Sequence, residues 1–300
     1  MDLLSLIECL ADPGCLINQT ASALIFAMLL FLIASGLSLI FGVLGVMNFA
    51  HGSLYMLGAY LAYTVYAGTS SFSLAIVFGC MAVGVFGIFF ERVFLKPIYR
   101  EHILYQLLLT YAFILVLDDV AKLVWGYEFI TMGAPDAFQR PPVELAGSFI
   151  PSYYIFVIIM GIIVALLLWM FLWKTRYGKL IRATAHSSEM VMALGKNTTL
   201  IYAGVFGIGA MLAGLGGALA APIRSIFPGM GSNVVVDCFI VVVVGGMGSI
   251  PGAFLAAILI GFMRAFGIIG FPLVEEALIF ILMAVVLIVR PQGFFGRAEL

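Results

Sequence analysis

The stretch from Pro13 to Phe90 contains no Asp, Glu, Lys or Arg, and His51 is the single histidine within it. A run that long and that apolar exceeds any buried helix of a soluble domain. A bilayer core about 30 Å thick takes roughly 20 apolar helical residues per crossing, so this stretch alone reads as about three crossings. Composition agrees. Of 300 residues 64% are hydrophobic and 10% charged, against roughly 25% charged in an ordinary globular protein. A mean hydropathy of +1.21 with 26 Phe and 33 Gly excludes a disordered chain, a disulfide scaffold and a nucleic-acid binder, which would need a basic face. What remains is an all-α polytopic membrane protein.

Crossings are expected near Ala21 to Phe41, Asn48 to Ala67, Phe72 to Phe90, Ile103 to Val124, Tyr153 to Trp173 and Leu200 to Ala220. Val234 to Phe271 is longer than one crossing and is interrupted at Gly245 to Gly252, so it reads as two segments meeting at a break. A last segment runs from about Leu273 to Val289. The total is eight or nine. With nine, Arg92, Lys96 and Arg100, then Lys174, Arg176, Lys179, Arg182 and Lys196, then Arg290 and Arg297, all fall on one face. Basic loops are cytoplasmic, which puts the N-terminus outside and the C-terminus inside. Lys122, Arg140 and Arg224 fall on the other face, with Asp2, Glu8, Asp12, Glu128, Asp136 and Glu144. A re-entrant hairpin at the break would keep this asymmetry with fewer full spans. The N-terminus lacks the basic region of a secretory signal and is expected to stay on the mature protein. Cys9 and Cys15 flank a Pro-Gly and are able to pair in a disulfide if that end is extracytoplasmic, while Cys80 and Cys238 sit in apolar runs as small hydrophobes.

Two stretches interrupt the helical pattern: Phe41 to Gly52, and Gly245 to Gly252. Unwound backbone in a membrane offers polar groups to a passing solute, which makes Asn48, His51, Gly52, Gly245, Gly246, Ser249 and Pro251 candidates for a translocation path. A Gly-rich segment also serves simply to let helices approach closely. His51 must face protein or water, and a structural hydrogen bond suits it better than catalysis. A dyad with Ser53 fails, because residues two apart on a helix do not face each other. The polar loop over 174–199 has a basic first half, then a small-residue helix with Met190, Ala193 and Leu194 along one stripe, ending at Gly195. Such a helix on the cytoplasmic side lies on lipid or docks into a partner's groove, and its modest charge favours the partner.

The chain contains no Gly-x-x-x-x-Gly-Lys-Ser/Thr, no His-Glu-x-x-His and no Cys or His cluster, so no catalytic or metal residue is assigned and any energy source lies elsewhere.

Four blocks now make the sequence recognisable. They are Gly42 to Gly52 followed by Leu57-Gly58-Ala59-Tyr60; Phe90-Glu91-Arg92-Val93 with Lys96-Pro97; Arg182 through Asn197; and Val244 to Ala253 with the tail Pro291 to Arg297. With them the chain resembles the permeases of branched-chain amino acid ABC importers, LivH type, over nearly its whole length. The resemblance implies one permease domain over 1–300 with a cytoplasmic coupling loop over 174–199, in the bacterial inner membrane. It implies as partners a second permease of the LivM type, two cytoplasmic ABC ATPase subunits that bind ATP and Mg, a periplasmic solute-binding protein and membrane lipids, with no nucleic acid. It also implies that Arg182, Ala183, Glu189, Ala193, Gly195 and Asn197 couple to the ATPase. His186 and Lys196 depart from the residues common at those places, an acidic and an aliphatic one, which affects the detailed contacts. Similar permeases serve urea, amides and other small solutes, so the substrate stays open between these and a hydrophobic amino acid. An ion-coupled secondary transporter would need acidic residues in mid-span, whereas Asp118, Asp119, Asp237, Glu275 and Glu276 are expected near span ends, leaving His51 and Arg264 within. An intramembrane hydrolase would need a nucleophile and base in reach of each other, and no such pair appears.

Overall fold

The computed structural model describes residues 3–99, 101–139, 142–145 and 147–296. Arg100, Arg140, Arg297 and Asp2, which enter the charge argument, lie outside the described residues. The chain is a bundle of helices: α1 (Leu3–Ala11), α2 (Pro13–Leu44), α3 (His51–Thr69), α4 (Phe72–Phe90), α5 (Ile103–Trp125), α6 (Ser152–Lys174), α7 (Arg176–His186), α8 (Ser188–Ala193), α9 (Thr198–Ala220), α10 (Met230–Gly245), α11 (Ile250–Gly270) and α12 (Glu275–Val289). Every expected crossing overlaps one of these helices, with Asn48 to Ala50 left outside α3. Helices prevail because a segment in hydrocarbon must satisfy its own backbone polar groups. Five are long and apolar enough to cross a membrane by length and composition: Pro13–Leu44, Phe72–Ile98, Ser152–Lys174, Thr198–Ala220 and Ile250–Gly270.

Short polar residues mark where helices begin. Asp12 accepts from the backbone N–H of Gly14 and Cys15, and Pro13 occupies the first position of α2, where its missing N–H costs nothing. Thr175, Ser187, Asn197 and Ser249 cap α7, α8, α9 and α11 in the same way. Cys9 and Cys15 are joined by a disulfide that ties α1 to α2.

The core is α2 and α9, whose most apolar stretches are 83% and 78% buried, with α3, α10 and α11 packed on them. Those of α4 and α6 are only 33% and 28% buried. Val85, Leu108, Leu166 and Ile288 all stand exposed on outer helices. Apolar surface this extensive belongs against lipid or another subunit. The all-α expectation misses one detail. Val143–Leu145 and Ser148–Ile150 form a small antiparallel hairpin, turned at Gly147 with φ +82°.

Opposite ends of the bundle are assembled from alternate loops. At one end Ser148 donates to the Gly14 carbonyl, Ile130 bridges Ile226, and Gly270 packs on Leu6. At the other, Gly42 abuts Gly248, and Phe294 donates to the Val244 carbonyl.

Candidate functional site

The first break is narrower than the sequence suggests. Helix α2 continues to Leu44 and ends at Gly45 with φ +69°, and His51 opens α3, so only residues 45–50 are unwound. They do not form a surface turn. The His51 ring lies 3.0 Å from the Ile33 carbonyl, and Ile33 is about 16 Å back along α2 from Leu44 at 1.5 Å per residue. The segment therefore re-enters the bundle beside α10, where the Phe49 ring meets Phe239 at 4.7 Å. A carbonyl only accepts, so Nε2 of His51 carries the proton and donates to Ile33, the structural role expected of it.

What this segment leaves unpaired defines the candidate path. Asn48 is fully buried, and neither its amide oxygen nor its nitrogen has a partner. The Ser38 and Ser53 hydroxyls and Nδ1 of His51 are likewise buried without partners. Among the described residues the backbone N–H groups of Val46, Met47 and Asn48 donate to no protein acceptor. Gly52 shapes the wall, because a Cβ there would overlap the Gly231 carbonyl at the start of α10.

The second break is built differently. Gly245 packs directly on Gly252, Gly246 ends α10 with φ +99°, Ser249 caps α11 by accepting from Gly252 N–H at 3.2 Å, and Pro251 sits in its first turn. Its first carbonyls are not free. The C-terminal tail donates from Phe294 to the Val244 carbonyl at 2.9 Å and from Phe295 to Gly245 at 3.0 Å. This break is a capped tight turn whose Val244 and Gly245 carbonyls are taken by the tail and whose tip, Met247 and Gly248, is exposed, whereas Val46, Asn48 and Ala50 of the first break are buried.

The polar loop also departs from its expected form. The helical part of the loop expected to end at Gly195 is two helices, because Ser187 leaves helical geometry and accepts from Met190 N–H to start α8. Ala183, Glu189, Ala193, Gly195 and Asn197 are exposed. Val191 turns inward while Met190, Met192 and Leu194, 65%, 51% and 74% exposed, make an outward apolar face. Gly195 has φ +74° and ends the helix. Arg182 points back to α6, its guanidinium 4.1 Å from the Trp173 ring centre, and Asn197 accepts from Leu200 N–H at the start of α9.

A profile of the family described as "Branched-chain amino acid transport system / permease component" matches residues 19–288. The chain belongs to this family. It is 32% identical over 281 residues to the high-affinity branched-chain amino acid transport system permease protein BraD of Pseudomonas aeruginosa, covering 89% of this chain and 92% of that one. To the LivH permease of Escherichia coli K12 it is 28% identical over 283 residues, 89% and 91% of the two chains. To the probable LivH permease of Methanocaldococcus jannaschii it is 26% identical over 300 residues, 91% and 90%. No solved structure matches.

Sequence reasoning missed three features of this permease. Asp237, expected near a span end, lies midway along α10 and takes a hydrogen bond from Arg264 of α11 at 2.5 Å, with Glu275 of α12 at 3.9 Å from the same guanidinium. Glu91 is fully buried and accepts from the Tyr99 hydroxyl at 2.6 Å, and burial with that carboxylate pushes the Tyr99 phenol well above its ordinary range. The third is the tail on α10. The Arg264 pairings join residues on separate helices, and no local pattern announces them.

Proposed function

We propose that this chain is the permease subunit of an ATP-driven importer that moves branched-chain or other hydrophobic amino acids across the inner membrane. The observation that carries the reading is the unwound 45–50 segment, with Val46, Asn48 and Ala50 buried in the bundle, in a chain of this family. Free backbone N–H groups and an unpaired amide inside an apolar bundle are costly to folding and useful to a polar solute in transit. The names of the relatives bring the branched-chain amino acid to this chain.

In this reading 1–300 is one permease domain with nine crossings, the N-terminus outside and the C-terminus inside. The contacts at the two ends of the bundle support it, since loops of one parity meet at each end. The Cys9–Cys15 disulfide supports an outside N-terminus, where oxidised thiols persist. The loop over 174–199 presents the outward apolar face of α8 to a cytoplasmic ABC ATPase, which supplies ATP and Mg chemistry. A second permease of the LivM type covers exposed apolar helices, and a solute-binding protein delivers substrate from outside.

Expression of this chain with its ATPase subunits, second permease and binding protein, in cells stripped of their own branched-chain uptake, tests the reading. Leucine uptake should appear with the full set and vanish when any member is left out. Uptake by this chain alone would overturn it.

A further inference from the structure

A cavity of about 510 Å³ opens between the α9–α10 connection, α10, α11 and α12, apart from residues 45–50. Its charges come in two kinds. Arg264 and Asp237, both part-buried, neutralise each other in the wall, with Glu275 adding a second carboxylate near the guanidinium. Arg224 and Glu276 line the same cavity, and among the described residues neither has an ion-pair partner; Arg224 only faces the Phe26 ring, 5.3 Å from its guanidinium carbon. Around them stand Phe227, Val234, Ile279 and Phe280.

Arg224 is part-buried and Glu276 is exposed in the first turn of α12, and neither charge is offset by a neighbour among the described residues, so both are open to a ligand's counter-charge. A neutral solute such as urea or an amide satisfies neither. An anion or cation alone satisfies one and is repelled by the other. A zwitterion with an apolar body satisfies both, its carboxylate on Arg224, its ammonium on Glu276 and its side chain against the apolar wall. We infer that this cavity is a binding site, within the permease itself, for the zwitterion of an apolar α-amino acid. The inference rests on the amino-acid permease reading and assigns that substrate a site on this chain, separate from the unwound segment.

The test is equilibrium binding of radiolabelled L-leucine to the assembled transporter in lipid nanodiscs without the binding protein, with leucine uptake by the complete transporter measured alongside. Saturable binding is expected. Arg224→Gln and Glu276→Gln should each weaken it ten-fold or more, while Arg224→Lys stays within about three-fold because the charge is kept. On the unaltered protein, 4-methylpentanoate, lacking the ammonium, and leucinamide, lacking the carboxylate, should each compete at least ten-fold more weakly than leucine. This series decides even if a variant fails to assemble. Absence of saturable binding, equal competition by either analogue, or Gln variants that bind as the parent does would overturn the site. If leucine uptake persists in such a case, the site fails and the permease reading stands; if the complete transporter takes up no amino acid, both fail.

Discussion

Asn48 is a buried amide with no partner for either of its polar atoms, and such a group costs a folded protein about 1–3 kcal/mol. Its retention makes sense if a solute uses it. Asn48→Leu, close in size and free of that penalty, should therefore leave thermal stability unchanged or raised while cutting uptake ten-fold or more; unchanged uptake would make the amide a bystander. Gly52 makes the complementary case. Any side chain there meets the Gly231 carbonyl, so Gly52→Val should remove assembled transporter from the membrane. At Gly204, on the same bundle, a Cβ meets nothing within 4 Å, and Gly204→Ala should be tolerated with a gain of up to about 1 kcal/mol from helix propensity. Immunoblots of membrane fractions with thermal melts separate these outcomes.

At the scale of elements, the decisive one is α8. A permease without a phosphate-binding loop must take force through a docked cytoplasmic part, because coupling between distant sites needs a physical element that both bias. In the proposed function that part is α8, whose apolar residues Met190, Met192 and Leu194 face outward and whose end at Gly195 is left-handed. Gly195→Val forces a β-branched residue into positive φ, and Ala193→Arg puts a charge on the exposed end of α8; each should abolish uptake or release the ATPase while insertion survives. Co-purification of the ATPase with each variant checks this, and full uptake with normal association would remove α8 from the role. The position of α8 was legible in the sequence because Gly195, the cap residues and the charges flanking each span are local signals. The break at Ser187 was not read there, although Ser187 is a capping type of residue inside an otherwise helical run. The return of residues 45–50 into the bundle was not, since nothing between Gly45 and Ala50 encodes where His51 finds its acceptor on α2. Nor was the loan of the Val244 and Gly245 carbonyls to the tail, a pairing across some fifty residues that depends on how α12 returns. Helices are announced by composition, and the polar contacts between them by packing alone.

Over the whole molecule the placement of basic residues predicts sidedness. With the parental cysteines replaced, a single cysteine near Asp136 should react with an impermeant maleimide added from outside, and one near Lys179 only after the membrane is opened; the reverse pattern would invert the topology drawn from the basic loops. The paired state of Asp237 bears on energetics at the same scale. An ion-coupled carrier needs a mid-span carboxylate available to its ion, and here that carboxylate is held by Arg264 at 2.5 Å. Energy is then expected to come from nucleotide hydrolysis on another chain. The most direct measurement is leucine uptake into proteoliposomes holding the complete transporter. Uptake should require hydrolysable ATP on the side of the 174–199 loop and persist when proton and sodium gradients are collapsed. Uptake driven by an ion gradient, in liposomes holding this chain without an ATPase, would contradict the account.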